Sequence, residues 1–150
     1  MGLKVGDKIS DFTLKDQHGE TFSSEDLRKK KPLVIFFYPK DNTSECTKQA
    51  CSFRDNYEDF MELGAEVVGI SADSEKSHTR FADKYQFPFK LLSDTDNKVR
   101  ESFKVKKSLL VVPGRETYVV DTTGRVRMVF NSMNANGHMK RAMNALKEMA

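Results

Sequence analysis

Apolar residues along this chain follow two patterns, and the patterns alternate. Leu33-Val34-Ile35-Phe36-Phe37-Tyr38 is an unbroken apolar run, which predicts a strand buried on both faces. Glu66 to Ser71 predicts a second buried strand. Between them Ala50, Phe53, Tyr57, Phe60 and Met61 recur at helical spacing. They predict one helix from Thr43 to Leu63, ended by Gly64. A further helix is predicted over Glu75 to Tyr85, stopped before Pro88, then a strand over Phe89 to Leu92 and a short helix over Asn97 to Phe103. Upstream, Asp11 to Leu14 and Glu20 to Phe22 read as short strands around the turn Gln17-His18-Gly19, and Ser23 to Leu27 opens a helical turn. Downstream, Arg115 to Asp121 and Val126 to Asn131 read as a hairpin around Thr122-Thr123-Gly124. His138 to Met149 is a final amphipathic helix, with Met139, Met143 and Leu146 on its core face.

Strand and helix alternate in the middle and a hairpin plus helix closes the chain. That order predicts an α/β fold with a central mixed sheet, parallel at its centre and antiparallel at an edge, flanked by helices on both faces. In such sheets the chemistry sits beyond the carboxyl ends of the strands.

The 150 residues fit one domain, 1–150, with one substantial core. At 38% hydrophobic and 31% charged the composition is that of a soluble protein. The net charge is only +3, from 25 basic and 22 acidic residues. The run Arg28-Lys29-Lys30-Lys31 has no second basic stripe and no stacking aromatics beside it, so it reads as a solvated turn and no nucleic-acid partner is expected. No apolar run is long enough to cross a bilayer, so no membrane partner is expected either. The first residues show no apolar signal core, and Gly6 stands where a myristoylation motif requires Ser or Thr. A cytoplasmic address is the expectation. His18, His78 and His138 are scattered without ligand spacing, so no metal site is expected.

Both cysteines lie just past the first buried strand, in Pro39-Lys40-Asp41-Asn42-Thr43-Ser44-Glu45-Cys46 and at Cys51. A helix starting near Thr43 puts Cys46 in its first turn, where unpaired N–H groups and the helix dipole favour a thiolate. Thr43 is the candidate N-cap, and its hydroxyl is close enough to reach a bound substrate. Pro39 ends the strand and can cover the pocket without offering a competing donor. Glu45 carries the wrong charge for a thiolate and is expected to point to solvent. Arg115 is the candidate cation. It reaches the Cys46 end of the sheet if its strand is antiparallel to Leu33–Tyr38, and the opposite end if parallel. On one continuous helix Cys46 and Cys51 have Cα atoms roughly 8–9 Å apart, too far for a disulfide. Two readings of Cys51 therefore stand: a second thiol coupled to Cys46 by local unfolding, or a small buried hydrophobe.

Pro39-x-x-x-Thr43-x-x-Cys46 resembles the active-site signature of peroxiredoxins. Cys46-Thr47-x-x-Ala50-Cys51-x-Phe53-Arg54-Asp55 is similar to the bacterioferritin comigratory protein, or PrxQ, subfamily. The resemblance extends through Gly6 to Leu14, Val68-Gly69-Ile70-Ser71, Leu91-Leu92-Ser93-Asp94 and Arg115-x-Thr117-Tyr118-Val119-Val120-Asp121. It implies a thioredoxin-like fold with an N-terminal β-hairpin extension. It implies reduction of hydrogen peroxide and organic hydroperoxides without metal or organic cofactor. By position, Cys46 is the peroxidatic and Cys51 the resolving cysteine, which pair as an intramolecular disulfide. Thr43 and Arg115 polarise the peroxide and Pro39 shields the pocket. Thioredoxin or a similar dithiol donor reduces the disulfide. A resolving cysteine in the same chain permits a monomer, the expected state.

Three departures from the family pattern stand out. Ser44-Glu45 replaces the usual Pro-Gly, the loop Lys104 to Ser108 is short, and Glu116 replaces a Ser after the arginine, where its charge can compete for Arg115. Two other functions are weighed. A thiol-disulfide oxidoreductase needs a Cys-x-x-Cys pair, which is absent. A non-catalytic interaction protein that kept the fold rests only on Ser44, Glu45 and Glu116.

Overall fold

A computed structural model describes residues 2–105 and 114–149. The strand that leads into the cysteine motif is β3, Leu33–Phe37, an interior strand with every residue buried. The side chains alternate as a strand requires. Val34 and Phe36 face one core; Leu33, Ile35 and Phe37 face another. Helices α2 (Ser44–Asp55), α3 (Tyr57–Glu62), α4 (Glu75–Tyr85) and α6 (His138–Met149) supply the first core. The second takes Leu27 of α1 (Ser24–Arg28), Val99 of α5 (Lys98–Ser102) and the N-terminal residues Leu3, Ile9 and Phe12.

The remaining strands are β1 (Thr13–Lys15), β2 (Thr21–Ser23), β4 (Glu66–Ser71), β5 (Lys90–Ser93), β6 (Glu116–Val120) and β7 (Val126–Asn131). They form one sheet in the order β2-β1-β5-β4-β3-β6-β7. The pairs β3–β4 and β4–β5 are parallel, and β3–β6, β6–β7, β1–β5 and β1–β2 are antiparallel. The expected mixed sheet is present, with antiparallel strands at both edges and the N-terminal hairpin as one of them.

The predicted single helix from Thr43 to Leu63 is two helices broken at Asn56, whose backbone leaves the helical region at φ −115° and ψ 12°. The Asn56 side-chain amide donates to the Ser52 carbonyl at 2.9 Å, and the Ser52 hydroxyl donates to the Gln49 carbonyl. Such local bonds compete with the helical ladder. Further on, Gly69 is required by packing: a Cβ there would lie 2.6 Å from Phe36 Cζ. Of the loop Lys104 to Ser108, residues 106–108 lie outside the described residues.

Candidate active site

Cys46 is the third residue of α2 and only 1% exposed. Thr43 occupies the N-cap position by its backbone, at φ −93° and ψ 157°. Its hydroxyl, however, does not cap; it donates to the Lys40 carbonyl at 2.9 Å. The first-turn N–H groups therefore lack the side-chain acceptor expected from Thr43, and the positive end of the helix remains beside the sulfur.

Because β6 runs antiparallel to β3, with Phe37 opposite Glu116, Arg115 emerges at the same end of the sheet as Cys46. Its Nη2 donates to Cys46 Sγ at 3.3 Å. Arg115 is itself 2% exposed and each edge of its guanidinium is held. Nε donates to the Met133 carbonyl at 3.0 Å, and Nη1 makes a short hydrogen bond to Gln49 Oε1.

The expected competition from Glu116 does not occur. Adjacent strand residues face opposite sides, and the Glu116 carboxylate accepts from the Tyr118 hydroxyl at 2.6 Å and the Asn131 amide at 3.2 Å. Burial pushes its carboxyl above the ordinary range. Glu45 is not simply turned to solvent as expected. Its Oε2 accepts the Ala135 N–H at 2.7 Å, the main reason its carboxyl sits below the usual range, and Lys48 lies 3.7 Å away. The charge is thus directed at the loop before α6 rather than at the thiol.

Cys51 is half-buried on the same unbroken helix, and burial pushes its thiol up. Neither cysteine is in a disulfide. Pro39 is half-buried between Tyr38 and the exposed Lys40.

Several side chains around the site escaped the reading of the sequence. Gln49, fully buried, links Arg115 to Thr117. Arg100, 5% exposed, donates Nη1 to the Gly114 carbonyl at 2.7 Å and Nη2 to the Tyr38 carbonyl at 2.8 Å. It ties together the chain entering β6 and the chain leaving β3, and burial lowers its own proton affinity. Asp41 and His78 pin the cysteine loop to α4. Asp41 accepts from Tyr38 Oη and from Ser77 Oγ at 2.8 Å, and His78 Nδ1 lies 2.7 Å from it. Nothing in their spacing marked them; only the paired position of Asp41 beside the cysteine motif could have done so. A groove of 690 Å³ between α3 and α6 carries none of these residues. Among the described residues no group of three or more His, Cys, Asp or Glu side chains is arranged to hold a metal, and no helix is long and apolar enough to cross a membrane.

Residues 5–129 match the AhpC/TSA family. Chloroplastic peroxiredoxin Q of Sedum lineare is 57% identical over 122 residues, covering 81% of this chain and 65% of that protein. The chain thus spans about two thirds or less of the length of the curated relatives it matches. Among solved structures, peroxidoxin BcpB from Mycobacterium tuberculosis is 38% identical, covers 99% of each chain and superposes with a TM-score of 0.93. The bacterioferritin comigratory protein of Xanthomonas campestris, described with an alkyl peroxide reduction activity, is 30% identical over 92% of this chain and 91% of that one, at a TM-score of 0.86. The matched peroxiredoxin Q proteins are named chloroplastic, which overturns the cytoplasmic address expected above. A compartment is encoded by targeting segments read by receptors, and the composition of a folded domain does not carry it. With its mixed seven-stranded, thioredoxin-like sheet and these relatives, the chain belongs to the AhpC/TSA family, in its peroxiredoxin Q (bacterioferritin comigratory protein) branch.

Proposed function

We propose that this chain, acting as one domain and as a monomer, is a thiol peroxidase for hydrogen peroxide and organic hydroperoxides. The observation that carries this reading is the Arg115 guanidinium 3.3 Å from a buried Cys46 sulfur in the first turn of a helix. The helix end and the cation both favour the anionic sulfur. Cys46 thiolate attacks the terminal oxygen of the peroxide, an S–O bond forms, and the O–O bond breaks. The leaving oxygen departs as alkoxide or hydroxide and takes a proton to become alcohol or water. Arg115 stabilises the developing charge on that oxygen. Thr43, whose own proton goes to Lys40, keeps a lone pair to accept the peroxide O–H. Pro39 borders the pocket without an N–H to compete.

Cys46 is then a sulfenic acid. Condensation with the Cys51 thiol releases water and forms the Cys46–Cys51 disulfide. Both cysteines lie on one turn-and-a-half of α2, so this step needs its first turns to unwind. A dithiol donor such as thioredoxin restores both thiols, and no metal or organic cofactor takes part.

The test is to treat reduced protein with one equivalent of hydrogen peroxide and measure its intact mass, beside Cys46→Ser and Cys51→Ser. The expected result is loss of two hydrogens in the wild type, a sulfenic or overoxidised adduct in Cys51→Ser, and no fast reaction in Cys46→Ser. Slow reaction at both thiols with no disulfide would overturn the reading and favour a fold kept for binding alone.

A further inference from the structure

His138 opens α6, is fully buried, and touches neither cysteine in any hydrogen bond. Its Nε2 lies 2.9 Å from the Ser132 carbonyl and its Nδ1 2.8 Å from Thr117 Oγ1. A carbonyl only accepts, so Nε2 carries the ring proton and the neutral ring offers Nδ1 as a bare acceptor. The Thr117 hydroxyl must then donate to His138, which leaves its lone pairs toward Gln49 Nε2 at 3.4 Å. With the amide nitrogen turned to Thr117, Gln49 presents its oxygen to Arg115. The polarity of the whole chain is therefore set at its far end. If the Thr117 proton pointed at Gln49 instead, the amide would turn its NH₂ toward a guanidinium that has only donors to offer.

The same ring acts by a second route. It fixes the Ser132 carbonyl, and the neighbouring Met133 carbonyl holds Arg115 Nε. The Ser132 N–H also donates to the Arg115 carbonyl at 3.2 Å. Phe130 meets the ring edge to face at 4.7 Å, which keeps its plane in place.

We propose that His138 is a positioning residue for the peroxidase reaction: its Nε2–H tautomer directs the Thr117–Gln49 chain and the Ser132–Met133 turn so that Arg115 is seated on the sulfur. The proposal rests on the peroxidase reading. It goes beyond that reading in assigning the seat of Arg115 to a residue on a different helix, outside the cysteine motif.

Two measurements test it. The first is the ¹⁵N NMR spectrum of His138 in the reduced wild type, which needs no activity. Protonated Nε2 and bare Nδ1 are expected; a proton on Nδ1 overturns the proposal. The second compares two rate constants for Cys46 in each variant, one with hydrogen peroxide and one with iodoacetamide. Both reactions use the thiolate that Arg115 favours, but only peroxide also needs Arg115 at its leaving oxygen, since alkylation expels iodide. Thr117→Val, which keeps the shape and removes the hydroxyl, should slow the peroxide reaction by about tenfold or more while alkylation changes far less. Thr117→Ser should recover most of the loss. His138→Leu, which also frees the Ser132–Met133 turn, should slow it at least as much as Thr117→Val, and the double variant should be no slower than His138→Leu alone. Folded Thr117→Val and His138→Leu proteins that react with peroxide at the wild-type rate overturn the proposal. If the wild type reacts no faster than Cys46→Ser, the peroxidase reading itself falls, and the tautomer still decides whether His138 directs the chain.

Discussion

At the scale of single residues the site depends on groups that can make only one kind of bond. Arg115 has donors alone and meets three acceptors of different kinds: a sulfur, an amide oxygen and a backbone carbonyl. A lysine could not span them, because its ammonium is a point charge without the planar fork. Arg115 was legible in the sequence, since it stands in a recognisable run beside Pro113-Gly114. Gln49 and His138 were not. A Gln inside a helix and a His opening one are ordinary in sequence, and their function comes from burial that only the fold confers. The burial of His138 also has a thermodynamic consequence. Its ring is lowered from 6.5 to about 4, first by desolvation and further by the charge of Arg115, while its hydrogen bonds oppose the shift. Above about pH 6.5 the ring is neutral folded and unfolded and contributes no pH dependence. As pH falls from about 6.5 toward 4 the unfolded chain takes up a proton that the folded ring refuses, so stability drops, by on the order of 3 kcal/mol at the end of the range. Urea unfolding near pH 7 and near pH 4.5 should show wild type losing about 2–3 kcal/mol more than His138→Asn, which has nothing to titrate there. Equal losses would mean the buried ring titrates as it does in the unfolded chain.

At the scale of the element, the proposed cycle asks α2 to be both a folded platform for the thiolate and a segment that opens. The two anchors beside it divide these tasks. Asp41 is fixed on its N-terminal side by Tyr38, Ser77, His78 and, through its N–H, by Asp73 at 2.8 Å. Asn42 follows with a left-handed φ of 59°; Thr43 and Ser44 are exposed, Glu45 is half-buried, and the chain turns inward at Cys46. In the proposed cycle these anchors place the start of the opening after Asp41, with Asn42 as the joint. The Ala135 N–H donated to Glu45 restrains that opening, because it ties the first turn of α2 to the loop gripping Arg115. Replacing Glu45 by Ala should speed Cys46–Cys51 disulfide formation after peroxide addition by a few-fold and reduce overoxidation of Cys46. Mass spectrometry of quenched time points would show it, and an unchanged rate would mean that Glu45 does not restrain the turn. Sequence periodicity carried α2 and α3 through as one helix, since Phe53, Tyr57 and Phe60 keep the spacing across Asn56. The break arises from side-chain bonds of Ser52 and Asn56 that leave no periodic trace.

For the whole molecule, the decisive unknown in the sequence was the direction of β6. A strand buried on both faces carries the same apolar pattern whichever way it runs, so Tyr118, Val119 and Val120 do not reveal it. Only the pairing of Phe37 with Glu116 puts Arg115 at the thiol end, and that pairing belongs to the assembled sheet. That β3 is buried on both faces, by contrast, was readable, and its two faces divide the protein into two cores with different relations to the site. Phe36 stacks on Phe53 of α2 with ring centroids 4.7 Å apart and planes 10° apart. Phe103 sits on the other face, 5.0 Å from Phe37 and 5.1 Å from Tyr118. Both rings are fully buried. Truncating either to Ala should cost about 3–5 kcal/mol and lower the melting temperature by roughly 10 °C for a chain of this size. The effects on α2 should differ. Phe36→Ala removes the surface on which α2 rests, so amide exchange through Ser44–Asp55 should accelerate well below the melting temperature. Phe103→Ala leaves that surface intact and should lose stability without local exposure of the helix. Hydrogen exchange at matched stability separates the two. Equal protection of α2 in both variants would show that the helix is held by the sheet as a whole and not by the Phe36–Phe53 stack.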